Sequence, residues 1–230
     1  KGKHPNFLAM TATPIPRTLS ITYNGDMDLS IIDELPKNRI PVVTKVIKPD
    51  RLERVYNFIR EQIKKNHQCM VIYPLVEESE KSDLAAAVKA YENFYEKIFK
   101  NISVGILHGK MSAQDKDTTM NLFLKNKISL LVSTTVVEVG VDIANATIML
   151  IEHAERFGLT QLHQLRGRVG RGDKKSYCIL VKRKFRDTSN KRLEIMEGTN
   201  DGFLIADEDL KLRGPGQFFG IKQSGFFKFK

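Results

Sequence analysis

Residues Gln164-Leu165-Arg166-Gly167-Arg168-Val169-Gly170-Arg171 carry the strongest chemical signal in the chain. Gln164, Arg168 and Arg171 are spaced four and three apart, which predicts that they share one face of a helix. Gly167 and Gly170 fall between them. A glycine inside a helix costs about 1 kcal/mol relative to alanine. Two glycines beside two arginines therefore predict a surface that something approaches closely. Planar guanidinium forks at such a surface suit a triphosphate whose charge spreads during transfer. The plain alternative, a solvated basic helix end, leaves the glycines without a role.

Upstream, Ser133-Thr134-Thr135 ends an apolar run and is followed by Gly140 and Asp142. Hydroxyls and free N–H groups at a strand end suit phosphate contacts, and Asp142 suits a ribose hydroxyl. An ordinary strand-to-helix turn is the competing reading. Thr11-Ala12-Thr13-Pro14 precedes Ile15-Pro16-Arg17-Thr18-Leu19, and Leu107-His108-Gly109-Lys110-Met111 joins an apolar run to a helical stretch. The segment Gly105 to Met111 is not a P-loop: its glycines are one residue too close, and Met111 replaces the Ser/Thr that holds Mg²⁺. Asp33-Glu34 and Asp207-Glu208-Asp209 do not end apolar strands beside a P-loop and read as solvated charges or caps.

The string Gln164 to Arg171 resembles motif VI of the superfamily 2 helicases, Gln-x-x-Gly-Arg-x-Gly-Arg. Ser133 to Asp142 resembles motif V, Thr11-Ala12-Thr13 resembles motif III, and His108-Gly109-Lys110 resembles the backbone-contact loop of the second lobe. Met27 to Pro36, Phe157 to Gln164, Leu212-Arg213-Gly214-Pro215-Gly216 and Gln223-Ser224-Gly225 narrow the resemblance to RecG-type helicases over nearly the whole chain. The Mfd-type transcription-repair coupling translocases share the C-terminal element but fit Asp33-Glu34-Leu35-Pro36 and Leu212 to Gly216 less well. The resemblance implies an α/β fold: a RecA-like second helicase lobe, with helices on both faces of a parallel sheet, plus a C-terminal helical hairpin.

By the same resemblance, residues 1–40 end a first RecA-like lobe, 41–184 form the second lobe, and 185–230 form a translocation hairpin and loop. The expected activity is ATP-driven movement on double-stranded and branched DNA. ATP and Mg²⁺ are held mainly by the missing first lobe, and a wedge domain lies further upstream. Arg168 and Arg171 act as fingers on the transferring phosphoryl group, with Gln164 orienting the site. Gly140 and Asp142 line the nucleotide cleft. Thr134, His108 and Lys110 touch DNA, while Thr11, Thr13 and Gln223 couple the two sites. The tail from Gly225 to Lys230 stops short of the family's expected end. A non-catalytic nucleic-acid-binding lobe is the alternative of a different class, and the paired arginines argue against it.

These groups need a scaffold, and the patterning supplies one. Short β-branched runs alternate with helical stretches from Val42 to Val181, which predicts a parallel sheet covered on both faces, with ligands at the carboxyl ends of its strands. Strands are expected at Leu29–Ile32, Val42–Ile47, Met70–Tyr73, Ser103–Leu107, Ile128–Ser133, Thr147–Ile151 and Ser176–Val181, and a further strand and helix between Phe7 and Gly25. Helices are expected after an Asp50 cap to Lys65, then over Asp83–Lys100, Gln114–Lys125 and Thr160–Arg168. The pair Asp187–Glu197 and Phe203–Leu212 predicts a hairpin.

The 230 residues hold 41% hydrophobic residues and a net charge of +10, enough for a real core with a polyanion partner. A basic soluble protein without such a partner is the plainer reading of that charge. Cys69 and Cys178 sit in apolar runs without metal-ligand spacing, which fits a reducing, cytoplasmic compartment. The charge alone suits nucleic acid or an acidic membrane equally; no apolar run is long enough to span a bilayer, and the helicase resemblance implies DNA and no membrane partner.

Overall fold

The computed structural model describes residues 30–32, 40–74, 80–134, 143–184 and 187–213. Six strands form one sheet: β1 (Val43–Ile47), β2 (Gln68–Tyr73), β3 (Val104–Leu107), β4 (Leu130–Thr134), β5 (Ala146–Ile151) and β6 (Tyr177–Val181). Their order across the sheet is β1-β6-β5-β2-β4-β3, and every pairing is parallel. The central strands are buried along almost their whole length, as near-continuous apolar runs in a covered parallel sheet must be.

Alternate side chains feed two cores, because successive strand residues point to opposite faces. Met70, Ile72, Leu131, Met149, Ile151, Cys178 and Leu180 pack on one face. Against them lie α3 (Ala113–Leu124), α4 (Leu159–Arg166), α5 (Asp187–Gly198) and α6 (Gly202–Arg213), through Met120, Phe123, Leu162, Leu193, Met196 and Ile205. Cys69, Val71, Leu130, Val132, Ile148, Leu150 and Ile179 pack on the other face, with Val55 and Ile59 of α1 (Leu52–Lys64). The α/β fold class expected from sequence is the one observed.

Several boundaries differ from expectation for identifiable reasons. Ser30–Ile32 takes no regular structure, with Ile32 91% exposed, so no strand forms there among the described residues. Asp50 does not cap α1. Pro49 opens a 3-10 turn that contains Asp50, and Arg51 becomes the N-cap without a side-chain bond. The long helix expected over Asp83–Lys100 is α2 (Glu80–Asn93) followed by a π-helical turn, Phe94–Ile98. The Phe99 N–H donates to the Phe94 carbonyl at 2.7 Å. That five-residue closure brings both rings to one side, where each meets Tyr56 edge-on at 5.6 and 5.7 Å between centroids.

The helical hairpin is seated on the lobe. Asp201 Oδ1 accepts from the N–H groups of Phe203 (2.8 Å) and Leu204 (3.4 Å), capping α6. Thr160 Oγ1 donates to the buried Asp209 carboxylate at 3.0 Å, joining α4 to α6. No helix of the described residues is long and apolar enough to cross a membrane.

Candidate functional site

Helix α4 stops at Arg166, two residues before the expected end. Gly167 is its C-cap, and the next residues close as a turn: Arg168 N–H donates to the Leu165 carbonyl and Val169 N–H to that of Arg166. Gln164, Arg168 and Arg171 therefore do not share the face of one continuous helix. Val169 is fully buried and pins the turn to the core, while Gln164 and Arg171 are exposed and Arg168 is half-buried. Arg171 Nε folds back to donate to the Gly167 carbonyl at 3.1 Å.

Gly170 has a local role. Its φ is +74°, and a Cβ there would sit 2.6 Å from Val42 Cγ2. The close approach predicted from its glycine is made by the protein's own valine rather than by a ligand. Gly167 faces only ordinary contacts, so its place reflects helix termination. A Cβ on Gly172 would meet the Ala144 carbonyl at 3.0 Å. The turn is thus clamped between Val42 and Ser176 on one side and Ala144 on the other.

Those contacts place the arginine turn at the amino ends of the strands, since Val42, Ala144 and Ser176 precede β1, β5 and β6. Helix α4 runs antiparallel to the sheet and carries the turn there, away from the carboxyl ends where ligands were expected. Gly140 and Asp142 lie outside the described residues, as do Thr11, Thr13 and Gln223. The described chain resumes at the buried Ile143, one residue after Asp142, and the carbonyl of its neighbour Ala144 lies 3.0 Å from where a Cβ on Gly172, one residue after Arg171, would sit.

At the opposite, carboxyl edge, β3 leads into His108, Gly109 and Lys110, and Ser112 caps α3 by accepting from Asp115 N–H at 3.1 Å. Lys116 Nζ donates to the Gly109 carbonyl at 2.8 Å and fixes the loop. Met111 packs against the core, and its sulfur accepts from His108 N–H at 3.4 Å. A methionine therefore suits a position where a P-loop would need a hydroxyl. Lys110 is exposed. The His108 Nδ1 atom is buried and has no partner among the described residues. Burial, then Lys116 and Lys110, hold its pKa below the usual histidine value, so the ring is neutral at pH 7. Thr134 ends the adjacent strand β4, fully buried, its hydroxyl also unpartnered among the described residues. His108 and Lys110 are the more exposed groups of this edge.

Arg166 is the residue that sequence reasoning overlooked. Only 3% exposed, it donates from Nη1 to Thr44 Oγ1 (3.3 Å), the Met196 carbonyl (2.9 Å) and the Thr199 carbonyl (2.7 Å), and its Nη2 meets His163 Nδ1 at 3.1 Å. Burial pushes its pKa down, yet the last carbonyls of α5 face it with the negative end of the helix dipole. The sequence did hold a signal: Leu159, Leu162 and Arg166 are spaced three and four apart on the buried stripe of α4.

A second buried charge closes the carboxyl ends of β5 and β6. Glu152 accepts from Arg183 Nε at 2.9 Å, and Glu155 accepts from the Arg183 and Lys184 N–H groups. Tyr56 is pushed up to about 12, mainly by burial and then by Glu152. These groups hold strand ends and make no part of the arginine turn.

Replacing Arg166 by leucine leaves three acceptors, including two helix-end carbonyls, without their donor. Arg166→Leu is expected to lower unfolding stability by roughly 2–4 kcal/mol, whereas Arg171→Ala should stay within about 0.5 kcal/mol. Urea denaturation of the two variants checks this, and equal effects would refute the distinction.

Known proteins are similar to this chain in sequence and in fold. The helicase conserved C-terminal domain family matches residues 48–173, and the family of the C-terminal part of domain 3 of ATP-dependent DNA helicase RecG matches 199–230. The chain is 52% identical to the RecG helicase of Bacillus subtilis over 100% of its own length and 34% of the relative's. It is 51% identical to that of Synechocystis over 98% of its length and 27% of the relative's. A solved structure of RecG bound to a three-way DNA junction superposes with a TM-score of 0.76 at 42% identity, covering 90% of this chain and 27% of that one. The yeast DEAD-box splicing factor Prp28, at 16% identity and a TM-score of 0.56, shares the fold alone. The chain spans about a third of the length of the curated relatives it matches. With half its residues identical to theirs along its whole length, the chain belongs to the RecG family of ATP-dependent DNA helicases.

Proposed function

We propose that these residues are the second motor lobe of an ATP-driven translocase on double-stranded DNA, one that remodels stalled replication forks and branched recombination intermediates. The observation that carries the reading is the closeness of the Ala144 carbonyl to Gly172, where an added Cβ would lie 3.0 Å from that oxygen. It brings Ala144, two residues after Asp142 in sequence, to the turn bearing Arg168 and Arg171. The RecG structure on a three-way junction supports branched DNA as the substrate. The RecG match over residues 199–230 favours this reading over an Mfd-type translocase. The family's bacterial relatives and the free, buried Cys69 and Cys178 support a cytoplasmic setting.

ATP supplies the phosphoryl group whose transfer drives movement. The 230 residues contain no Gly-x-x-x-x-Gly-Lys-Ser/Thr sequence, so we assign the phosphates and Mg²⁺ to a P-loop lobe elsewhere in the protein. Arg168 and Arg171 reach from this lobe towards the γ-phosphate, where charge spreads in the transition state, and Gln164 orients the site. Gly140 and Asp142 line the same cleft. At the far edge, Lys110 and His108 meet DNA phosphates, with Thr134 behind them. Residues 1–40 end the first lobe and 185–230 form the translocation hairpin, with Thr11, Thr13 and Gln223 in the coupling path.

The isolated 230-residue chain is expected to show no DNA-stimulated ATPase activity above a contaminant control, and genuine turnover would overturn the two-lobe site. In the whole protein, Arg171→Ala should lower kcat on the order of 10³-fold or more while sparing ATP binding, because a finger acts on charge that develops only in the transition state. Arg171→Lys keeps the charge but loses the planar fork and should remain badly impaired. Steady-state ATPase with saturating forked DNA, beside nucleotide binding and a thermal melt, measures this, and a near-normal kcat in Arg171→Ala refutes the assignment. Duplex binding by the chain should be sequence-independent and weaken with salt. Lys110→Ala should reduce the log–log salt slope by about 0.9, one phosphate's worth. An unchanged slope would remove Lys110 from the DNA contact.

A further inference from the structure

Three asparagines meet at the amino edge of the sheet, beside the arginine turn. Asn66 follows α1 with φ +65°, and Asn126 follows α3 with φ +57°. Each closes its helix in the same way. Asn66 N–H donates to the Ile63 carbonyl and His67 N–H to that of Gln62, while Asn126 N–H donates to the Phe123 carbonyl and Lys127 N–H to that of Leu122. Glycine is the usual residue for such a left-handed corner, and asparagine is tolerated there.

Here the side chains have partners that glycine could not supply. Asn126 Nδ2 donates to Asn66 Oδ1 at 2.6 Å. Asn145 Nδ2 donates to the Asn66 carbonyl at 2.8 Å and to Asn126 Oδ1 at 3.3 Å. Its Oδ1 accepts from Lys174 Nζ at 3.2 Å. A lysine only donates and a main-chain carbonyl only accepts, so both ends of the Asn145 amide are fixed in orientation.

The sequence positions give this amide its meaning. Asn145 lies three residues after Asp142, and Lys174 lies three residues after Arg171. Between them, the Ala144 carbonyl leaves no room for a side chain on Gly172, since a Cβ there would lie 3.0 Å from it. The Asn145 side chain therefore ties the two nucleotide-facing segments to each other and to the rigid ends of α1 and α3. The Asn145 carbonyl accepts from Gln68 N–H at 3.0 Å, which adds the start of β2.

We infer that Asn145 is a positioning residue for phosphoryl transfer: through Lys174 and the Asn66–Asn126 corner, it holds the arginine turn in register with the residues that lead into β5. The inference rests on the reading of Arg168 and Arg171 as fingers. Neither Asn145 nor Lys174 need touch the nucleotide. Their effect is geometric, and a displacement of about 1 Å at a reacting group costs up to roughly 10²-fold in rate.

The test uses the whole protein, with forked DNA saturating. Asn145→Ala is expected to lower kcat roughly tenfold while the KM for ATP changes less than about twofold, because placement of the fingers matters in the transition state and not in ground-state binding. Lys174→Met should show the same split with an unchanged melt, since Lys174 is exposed. Lys174→Arg, which keeps a donor, should restore most of kcat. The double variant should be no worse than Asn145→Ala, as expected for two residues on one path. A wild-type kcat in Asn145→Ala, in a protein that Arg171→Ala inactivates, overturns the inference alone. A normal kcat in Arg171→Ala overturns the reading of the turn and the inference with it. If Asn145→Ala melts early, Lys174→Met decides: a tenfold fall in kcat supports the strap, and full activity refutes it.

Discussion

A guanidinium buried without a carboxylate partner among the described residues sets the geometry of this lobe. Removing Arg166 from water is unfavourable unless its donors are met. The structure meets them with Thr44 of β1, with His163 of its own helix, and with the last carbonyls of α5. Those carbonyls lack partners within α5, so donor and acceptor each answer the other's need. One side chain therefore ties the end of α5 to β1 and to the last residue of α4. The arginine turn begins at the very next residue. Helix-end electrostatics contributes most where both groups are out of water, and here Arg166 is almost fully covered.

The parallel sheet imposes the second constraint. Each strand must be re-entered from the same side, so helices carry the chain back and functional segments collect at two edges. Arg168 and Arg171 lie at the amino edge, and His108, Lys110 and Thr134 at the carboxyl edge. Strands of five or six residues put about 17–20 Å of packed apolar side chains between them. Eight residues of sequence separate Thr134 at the carboxyl edge from Ile143 near the amino edge.

Much of this was legible in the sequence because period and motif speak to different levels. Alternating apolar runs gave all six strands from β1 to β6 to within two residues at each end, since burial on both faces leaves little freedom in residue type. Motif spacing located the arginine turn, but not its shape. Three-and-four spacing reads as a helix until Gly170 is seen to need a positive φ against Val42, a contact with a residue remote in sequence. Arg166 was passed over for the same reason. An arginine on a leucine stripe looks like a lapse in the pattern until the end of α5, folded far from it along the chain, is placed on it. Asp50 misled in the opposite direction, because a local cap signal was overridden by the proline before it.

Among the described residues, strand β1 is hydrogen-bonded only to β6, Val43 beside Tyr177 and Ile47 beside Val181. Its sole neighbour in the sheet is made roughly 130 residues later. At ribosomal speeds of about 5–20 residues per second, the first strand waits on the order of ten seconds for the last. Until then Val42, which will seat Gly170, has no sheet to lie on. A ribosome stalled before β6 thus leaves most of the core strands made, with the valine that seats Gly170 still unplaced.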